Sequence, residues 1–245
     1  MTERDEDFFV GYLPMPSRLA KFSLVVAVVL MLLGVALAVL AARFQRTPGA
    51  TLGPIDWNAE LKGTLYRAPY PRLVLPGDNP GAIREVLLVR GGKNGVPTVT
   101  DEQEGQTHVA KGALFRRDGR ELLELYSLNR ADGDPQALPP SSGTKEVSLQ
   151  GVLVDSKCYF GRMKPGAGQA HRACAQYCVW SGIPPVLVVY SDAGAHRHLL
   201  VTDRNGAPAN EMVLEYLAES VEVRGTLVDR PTGEELRVHS IRRLP

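Results

Sequence analysis

Residues 22–42, FSLVVAVVLMLLGVALAVLAA, run for 21 positions without a charge. A stretch like this can cross a hydrocarbon core of roughly 30 Å only as an α-helix, because lipid offers no partner for an unpaired backbone N–H or C=O. The run is too long and too late in the chain for the apolar part of a cleaved signal peptide, and no small-residue cleavage site with a polar start follows it. The expectation is a retained, single-pass anchor in a lipid bilayer. Arg4, Arg18 and Lys21 precede the run and Arg43 and Arg46 follow it. That slight basic excess tilts the reading towards a cytoplasmic N-terminal segment (1–21), with the C-terminal domains in the periplasm beyond a bacterial inner membrane.

The chain beyond the anchor has the composition of a folded protein. Overall it is 44% hydrophobic and 22% charged, with a formal net charge of +1, which argues against disorder and against an electrostatic grip on a polyanion. Arg116-Arg117 and Arg242-Arg243 are isolated pairs rather than a basic footprint, so no nucleic-acid partner is expected. Gln45–Pro54, QRTPGATLGP, has the prolines and glycines of a short extended tether within residues 43–57.

Two small β domains are expected after it. GALFRRDGRELLELYSL (112–128) aligns without a gap on GTLVDRPTGEELRVHSI (225–241), matching Gly112 with Gly225, Leu114 with Leu227, Glu121 with Glu234 and Ser127 with Ser240. Both segments alternate apolar and polar residues around a turn, the pattern of a half-buried hairpin. Leu61-Lys-Gly-Thr-Leu-Tyr66 likewise resembles Leu149-Gln-Gly-Val-Leu-Val154. Each half also has a β-branched run ahead of turn residues, Glu85–Arg90 and Pro185–Tyr190, which we match to one another as the mid-strand of its half. About five short strands per half suit a closed barrel, which leaves no open sheet edge. The predicted architecture is mainly β: a transmembrane helix (22–42), a first OB-like barrel (58–131), a Pro- and Ser-rich linker (132–145), and a second OB-like barrel (146–245) with an inserted cysteine-bearing helix. A single continuous β-sandwich is the alternative.

The chain has three cysteines, and all fall in one place: Cys158, Cys174 and Cys178, with His171 between them. Gly168–Ser181 reads as a short helix that stops at Gly182 before Pro184-Pro185. On it His171, Cys174 and Cys178 share one face, and Cys158 at the end of the preceding strand could meet them. Three readings stay open. A disulfide from Cys158 to Cys174 or Cys178 would close a loop of 16 or 20 residues and contribute about 3 kcal/mol, whereas Cys174 with Cys178, one helical turn apart, fits disulfide geometry poorly. Cys158, His171, Cys174 and Cys178 could instead hold zinc as a closed tetrahedral site. A redox-active or copper-handling thiolate is the third. In the disulfide reading the protein carries no cofactor; in the others it holds zinc or copper.

Val152-Leu-Val-Asp-Ser-Lys-Cys158, His171-x-x-Cys174-Ala-x-x-Cys178, the strand Val186–Tyr190 and Val221-Glu-Val-Arg-Gly-Thr-Leu227 together resemble a loose group of small, exported bacterial OB-like proteins with little functional assignment. The resemblance covers about residues 147–243. It implies export and an OB-like barrel, and supplies no catalytic residue.

Phe8, Phe9, Tyr12 and Leu13 form an aromatic, proline-stiffened strip ahead of the anchor. We read it as a docking strip for another membrane-protein subunit, against the plainer reading of an interfacial belt. His196 and His198 flank Arg197 in a strand and read as a solvent-facing pair. No phosphate loop, nucleophile elbow or H-E-x-x-H motif is present, so the chain is not expected to be an enzyme. It is expected to be an accessory or assembly subunit of a membrane complex, or alternatively a periplasmic metal- or haem-handling protein.

Overall fold

The computed structural model describes residues 15–44, 53–79, 81–97, 99–190 and 196–244. Phe8, Phe9, Tyr12, Leu13 and most of the tether fall outside these residues. The chain divides into Met1–Pro48 and Gly49–Pro245. The described part of the first unit contains one helix, α1 (Ser17–Phe44). Its segment Ser17–Ala41 has the length and composition of a membrane span or a signal sequence, and none of it is buried by the chain itself.

The second unit is two five-stranded closed barrels. The first comprises β1 (Asp56–Tyr66), β2 (Arg72–Pro76), β3 (Ile83–Arg90), β4 (Thr107–Arg117) and β5 (Arg120–Arg130), in the order β1-β2-β3-β5-β4. The second comprises β6 (Gly143–Asp155), β7 (Pro185–Tyr190), β8 (His196–Thr202), β9 (Ser220–Arg230) and β10 (Gly233–Arg243), in the order β6-β7-β8-β10-β9. These orders are the same once strands are matched by position. Both pair their third strand with their fifth in parallel and their first with their fourth antiparallel, which makes each an OB-like barrel.

The gapless sequence repeat corresponds to β4–β5 and β9–β10, whose boundaries coincide strand for strand. The bulges coincide as well: pairing slips past Tyr126 in one hairpin and past His239 in the other. Gly112 and Gly225 stand at this slip, where an added Cβ would lie 2.1 Å from the carbonyl oxygen of Glu124 or Arg237. No side chain fits there.

The mid-strand correspondence needs correction. Glu85–Arg90 belongs to β3, whose counterpart is β8, whereas Pro185–Tyr190 is β7, whose counterpart is β2. The short strand β2, RLVLP, lies just after Pro71 and lacks alternation, so the pattern did not separate it from the loop before it. In the second barrel, residues 156–184 occupy the position that residues 67–71 fill in the first, and this longer connection shifts the apparent spacing.

Continuous apolar runs in β3 and β7 have a specific cause. Val86 and Leu88 point into the first barrel with Leu65, Leu73 and Leu123. Leu87 and Val89 point outward into a shared core with Phe115 and Leu122, and with Val154, Val186, Val188 and Leu200 of the second barrel. Leu153, Leu187, Leu199 and Val201 fill the second barrel's interior. Strands buried on both faces lose the polar alternation of half-exposed ones. Residues 132–142, whose composition suggested a linker, are without helix or strand; the Gln136 N–H donates to Thr64 Oγ1 at 2.6 Å and Tyr66 Oη donates to the Gln136 carbonyl at 2.9 Å.

Polar groups lock the shared core. Tyr70 Oη donates to the Val201 carbonyl at 2.8 Å and accepts the Ala209 N–H at 2.9 Å. The Gly95 N–H donates to the Ser181 carbonyl at 2.8 Å. The guanidinium of Arg117 lies 3.7 Å from the centre of the Tyr159 ring and donates to the Tyr159 carbonyl.

Candidate thiolate centre

The connection from β6 to β7 begins with four buried residues, Asp155-Ser156-Lys157-Cys158. Charged side chains in such a place need partners, and Asp155 and Lys157 have them, whereas the Ser156 hydroxyl has none among the described residues. Lys157 Nζ donates to the carbonyls of Arg90 and Gly92 at 2.7 and 2.6 Å and lies 3.3 Å from Glu124 Oε2, all in the first barrel. Arg162 Nε donates to that same Glu124 oxygen at 2.8 Å. Asp155 Oδ1 accepts the Cys158 N–H at 2.8 Å, fixing a helical turn over Cys158–Arg162. The loop is thereby fastened to both barrels before it reaches the helix.

That helix, α2 (Arg172–Trp180), follows a short turn at Gln169–His171 and stops where Gly182 takes φ +93°. Its inward face presents Ala175, Cys178 and Val179. His171 at its start is buried, and its Nε2 lies 2.9 Å from Asp155 Oδ2. A carboxylate there accepts the Nε2 proton, which leaves Nδ1 as the imidazole's lone-pair nitrogen. A histidine held this way by a carboxylate is oriented as metal-binding histidines are.

Two ligand triads overlap at this place. One ligand atom each from Cys158, His171 and Cys174 lies within 4.8 Å of the others, and so does one each from Asp155, Cys158 and Cys178. Cys158 is common to both. Ligand sulfurs on a tetrahedral ion with bonds of about 2.3 Å stand roughly 3.8 Å apart, so closure requires movements of about an ångström. All three cysteines are free thiols in this structure. Cys158 and Cys178 are buried and Cys174 is half-buried.

The thiols are unequal. Cys178 is pushed below the ordinary thiol range, first by its hydrogen bond with Cys158. Cys158 is pushed up, first by that same bond and then by burial and Asp155. Burial and the neighbouring Cys178 push Cys174 up, opposed by Lys93. Of the three thiols, Cys178 is therefore the one whose deprotonation its neighbours favour, with Cys158 as donor to it.

Around this centre lie residues to which the sequence patterns did not point. Asp155 and Lys157 stand in a polar run directly behind an apolar strand, V-L-V-D-S-K-C, and the signal was the run's position, since polar residues seldom follow a core strand into a buried connection. Expected in solvent, His198 is instead buried, its ring centroid 5.7 Å from that of Tyr159 and 5.4 Å from that of Phe160. Burial and the guanidinium groups of Arg120 and Arg117 push it down to about 3. The shared core covers the outer face of β8, which local alternation could not reveal. The His196 side chain lies outside the described part of the chain. On the outer side of α2, Tyr177 and Trp180 are 53% and 67% exposed, and Lys93 Nζ lies 5.3 Å from the Tyr177 ring centre.

No protein-family model matches the chain, and comparison with curated proteins finds no match. Among solved structures, the chain is similar to a deletion mutant of the single-stranded DNA binding protein from Thermus aquaticus, at 16% identity and a TM-score of 0.24, with 77% of this chain and 96% of that one covered. The OB-like assignment rests on strand order and closure.

Proposed function

We propose that this chain is a membrane-anchored, extracytoplasmic binding protein whose working part is a soft-metal centre built from Cys158, His171, Cys174 and Cys178. The observation that carries this reading is the convergence of the three cysteines and a carboxylate-held histidine on one buried place, with Cys158 within 4.8 Å of both helical sulfurs. Thiolate and imidazole donors suit Zn(II) and Cu(I) and select against magnesium, calcium and manganese. Lys157, Glu124 and Arg162 would keep the Cys158 side of the site fixed while α2 and the turn before it carry the other donors. A retained anchor over α1 with a cytoplasmic N-terminus belongs to the same proposal, supported by the basic residues Arg18 and Lys21 ahead of the span.

The full-length chain, purified in detergent without chelator, tests this by elemental analysis and by intact mass after thiol alkylation. One equivalent of zinc or copper, with the three thiols protected until the ion is removed, supports the centre. An alkylatable thiol beside two disulfide-linked cysteines, with no metal taken up after reduction, overturns it.

A second reading, an accessory subunit of a membrane complex, is favoured by exposed Tyr177 and Trp180 beside Ala173, Gln176 and Leu214 on one outer face. Membrane partners should then co-purify with the tagged chain and be lost on replacing Trp180, or Phe8, Phe9 and Tyr12, by alanine. Full retention by every variant counts against it. Single-stranded oligonucleotides are expected not to bind under either reading.

A further inference from the structure

Cys158 is the shared member of both ligand triads, and that position constrains what the thiols can do beyond holding an ion. Each helical sulfur lies within 4.8 Å of Cys158, which makes each a candidate disulfide partner for it. A disulfide at Cys158 removes two donors at once. Bound metal and a disulfide therefore exclude one another at this site. Access is also unequal: Cys158 and Cys178 are buried, and Cys174 alone is half-buried, next to the exposed rings of Tyr177 and Trp180 on the same helix. An incoming sulfur reaches Cys174 first.

We propose that the centre reacts with disulfides, of small thiols or of exposed protein cystines, with Cys174 as the entry thiol and Cys158 as the resolving thiol. In the first step Cys174, the accessible thiol, gives up its proton to water and attacks one sulfur of the incoming disulfide as the thiolate. The new S–S bond forms as the old one breaks, and one half leaves as a thiolate that takes a proton from water. In the second, Cys158 gives up its proton to water and the thiolate so formed attacks Cys174 Sγ, forming Cys158–Cys174 and expelling the other half as a thiolate that takes a proton back from water. The incoming disulfide is reduced by two electrons and the two protein cysteines are oxidised by two. Cys178 stays reduced. A bound Zn(II) or Cu(I) loses two ligands and leaves with its oxidation state unchanged.

The tether between the helix and the first barrel explains why Cys158 rather than Cys178 resolves. Cys158 is fastened by Lys157 and by the Asp155 cap, and the α2 end is fastened by the Gly95 N–H at Ser181. The facing sulfurs thus stay opposed across the gap while rotamers change. Cys174 and Cys178, one turn apart on one helix, run parallel. Metal release rests on the soft-metal reading above, whereas the exchange step does not.

Oxidised glutathione is the probe. The full-length chain in detergent, reduced and metal-free, is incubated with it, quenched in acid, alkylated and mapped by peptide mass. The expected product links Cys158 to Cys174 and leaves Cys178 alkylated. C158S should stop at one glutathione on Cys174, and C174S should react at least tenfold more slowly. A Cys174–Cys178 link, first attack at Cys178, or an unreactive wild-type chain overturns the proposal, and the wild-type map decides even where a variant fails to fold. In a second arm the chain carries one equivalent of Zn(II), and release is followed with a chromophoric chelator. Release at the rate of disulfide formation supports the coupling, and either event without the other overturns it. A chain that takes up no zinc yet forms Cys158–Cys174 overturns the metal reading while upholding exchange.

Discussion

The first barrel passes from β1 to β2 through residues 67–71, and the second passes from β6 to β7 through residues 156–184. Strand order, hairpin boundaries and even the bulge at Tyr126 and His239 are otherwise shared. All the thiol chemistry of the chain, and the buried lysine that fastens the barrels together, sit in the longer of these two connections. A closed barrel tolerates a change in connection length because its strand ladders are untouched. The difference teaches that one joint of a repeated scaffold can carry a buried polar loop when the first barrel serves as its wall: Glu124, Arg90, Gly92 and Gly95 are all first-barrel residues that hold it.

Breaking that dependence at its strongest point gives the largest expected effect. Lys157→Ala removes a buried ammonium from the Arg90 and Gly92 carbonyls and leaves the Glu124 carboxylate, whose side chain is 7% exposed, with the more exposed Arg162 as its ion-pair partner. Loss of one member of a buried pair costs about 3–5 kcal/mol. Urea unfolding of the detergent-solubilised chain should show this as a lower midpoint, and a loss under 1 kcal/mol would mean the barrels do not depend on this joint.

A second effect separates the barrels by pH. His198 titrates near 6.5 when unfolded but at about 3 when folded. Between those values the unfolded chain binds the extra proton, so this stability is present above about pH 6.5 and is lost as pH falls towards 3, by at most on the order of 5 kcal/mol. His198→Phe should flatten that part of the stability profile, because a phenyl ring keeps the packing against Tyr159 and Phe160. An unchanged acid slope would show that other groups set it. Arg117, Asp118 and Arg120 of the first barrel and Tyr159 of the second face this ring or act on it, and each is a control.

The smallest effect sharpens the comparison at the shared core. Tyr70→Phe leaves the Ala209 N–H and the Val201 carbonyl without their partner, at about 1–3 kcal/mol. If β8 opens first, hydrogen exchange at Ala209 should quicken more than at β4 residues of the first barrel. Equal acceleration in both would indicate that the barrels unfold as one.

Much of this architecture was legible. The hairpin repeat led to strands whose limits agree with the structure, and the cysteine spacing put Cys174 and Cys178 on one helix, with His171 in the turn that leads into it rather than on the helix itself. What local patterns could not carry was anything decided by the other barrel. β2 was missed because a five-residue strand lacks a readable period. Alternation alone puts His198 in solvent, since it reports two faces but not what covers each of them. Asp155 and Lys157 were passed over because a polar run after a strand ordinarily means a surface turn, and only the wall behind it explains their burial.

The parallel pairing of β10 with β8 has a consequence for biogenesis. β10 is the fifth strand of its barrel and ends at Arg243, so the second barrel closes only once that strand is made, and until it closes the outward residues of β3 and β5, Leu87, Val89 and Leu122, lack the settled cover of Val154, Val186, Val188 and Leu200. A first barrel already complete at Arg130 therefore waits, with an apolar flank exposed, for more than a hundred further residues to arrive. For a polypeptide emerging from a ribosome or a translocation channel, that interval is a window for a chaperone, and the apolar flank is the surface it would hold.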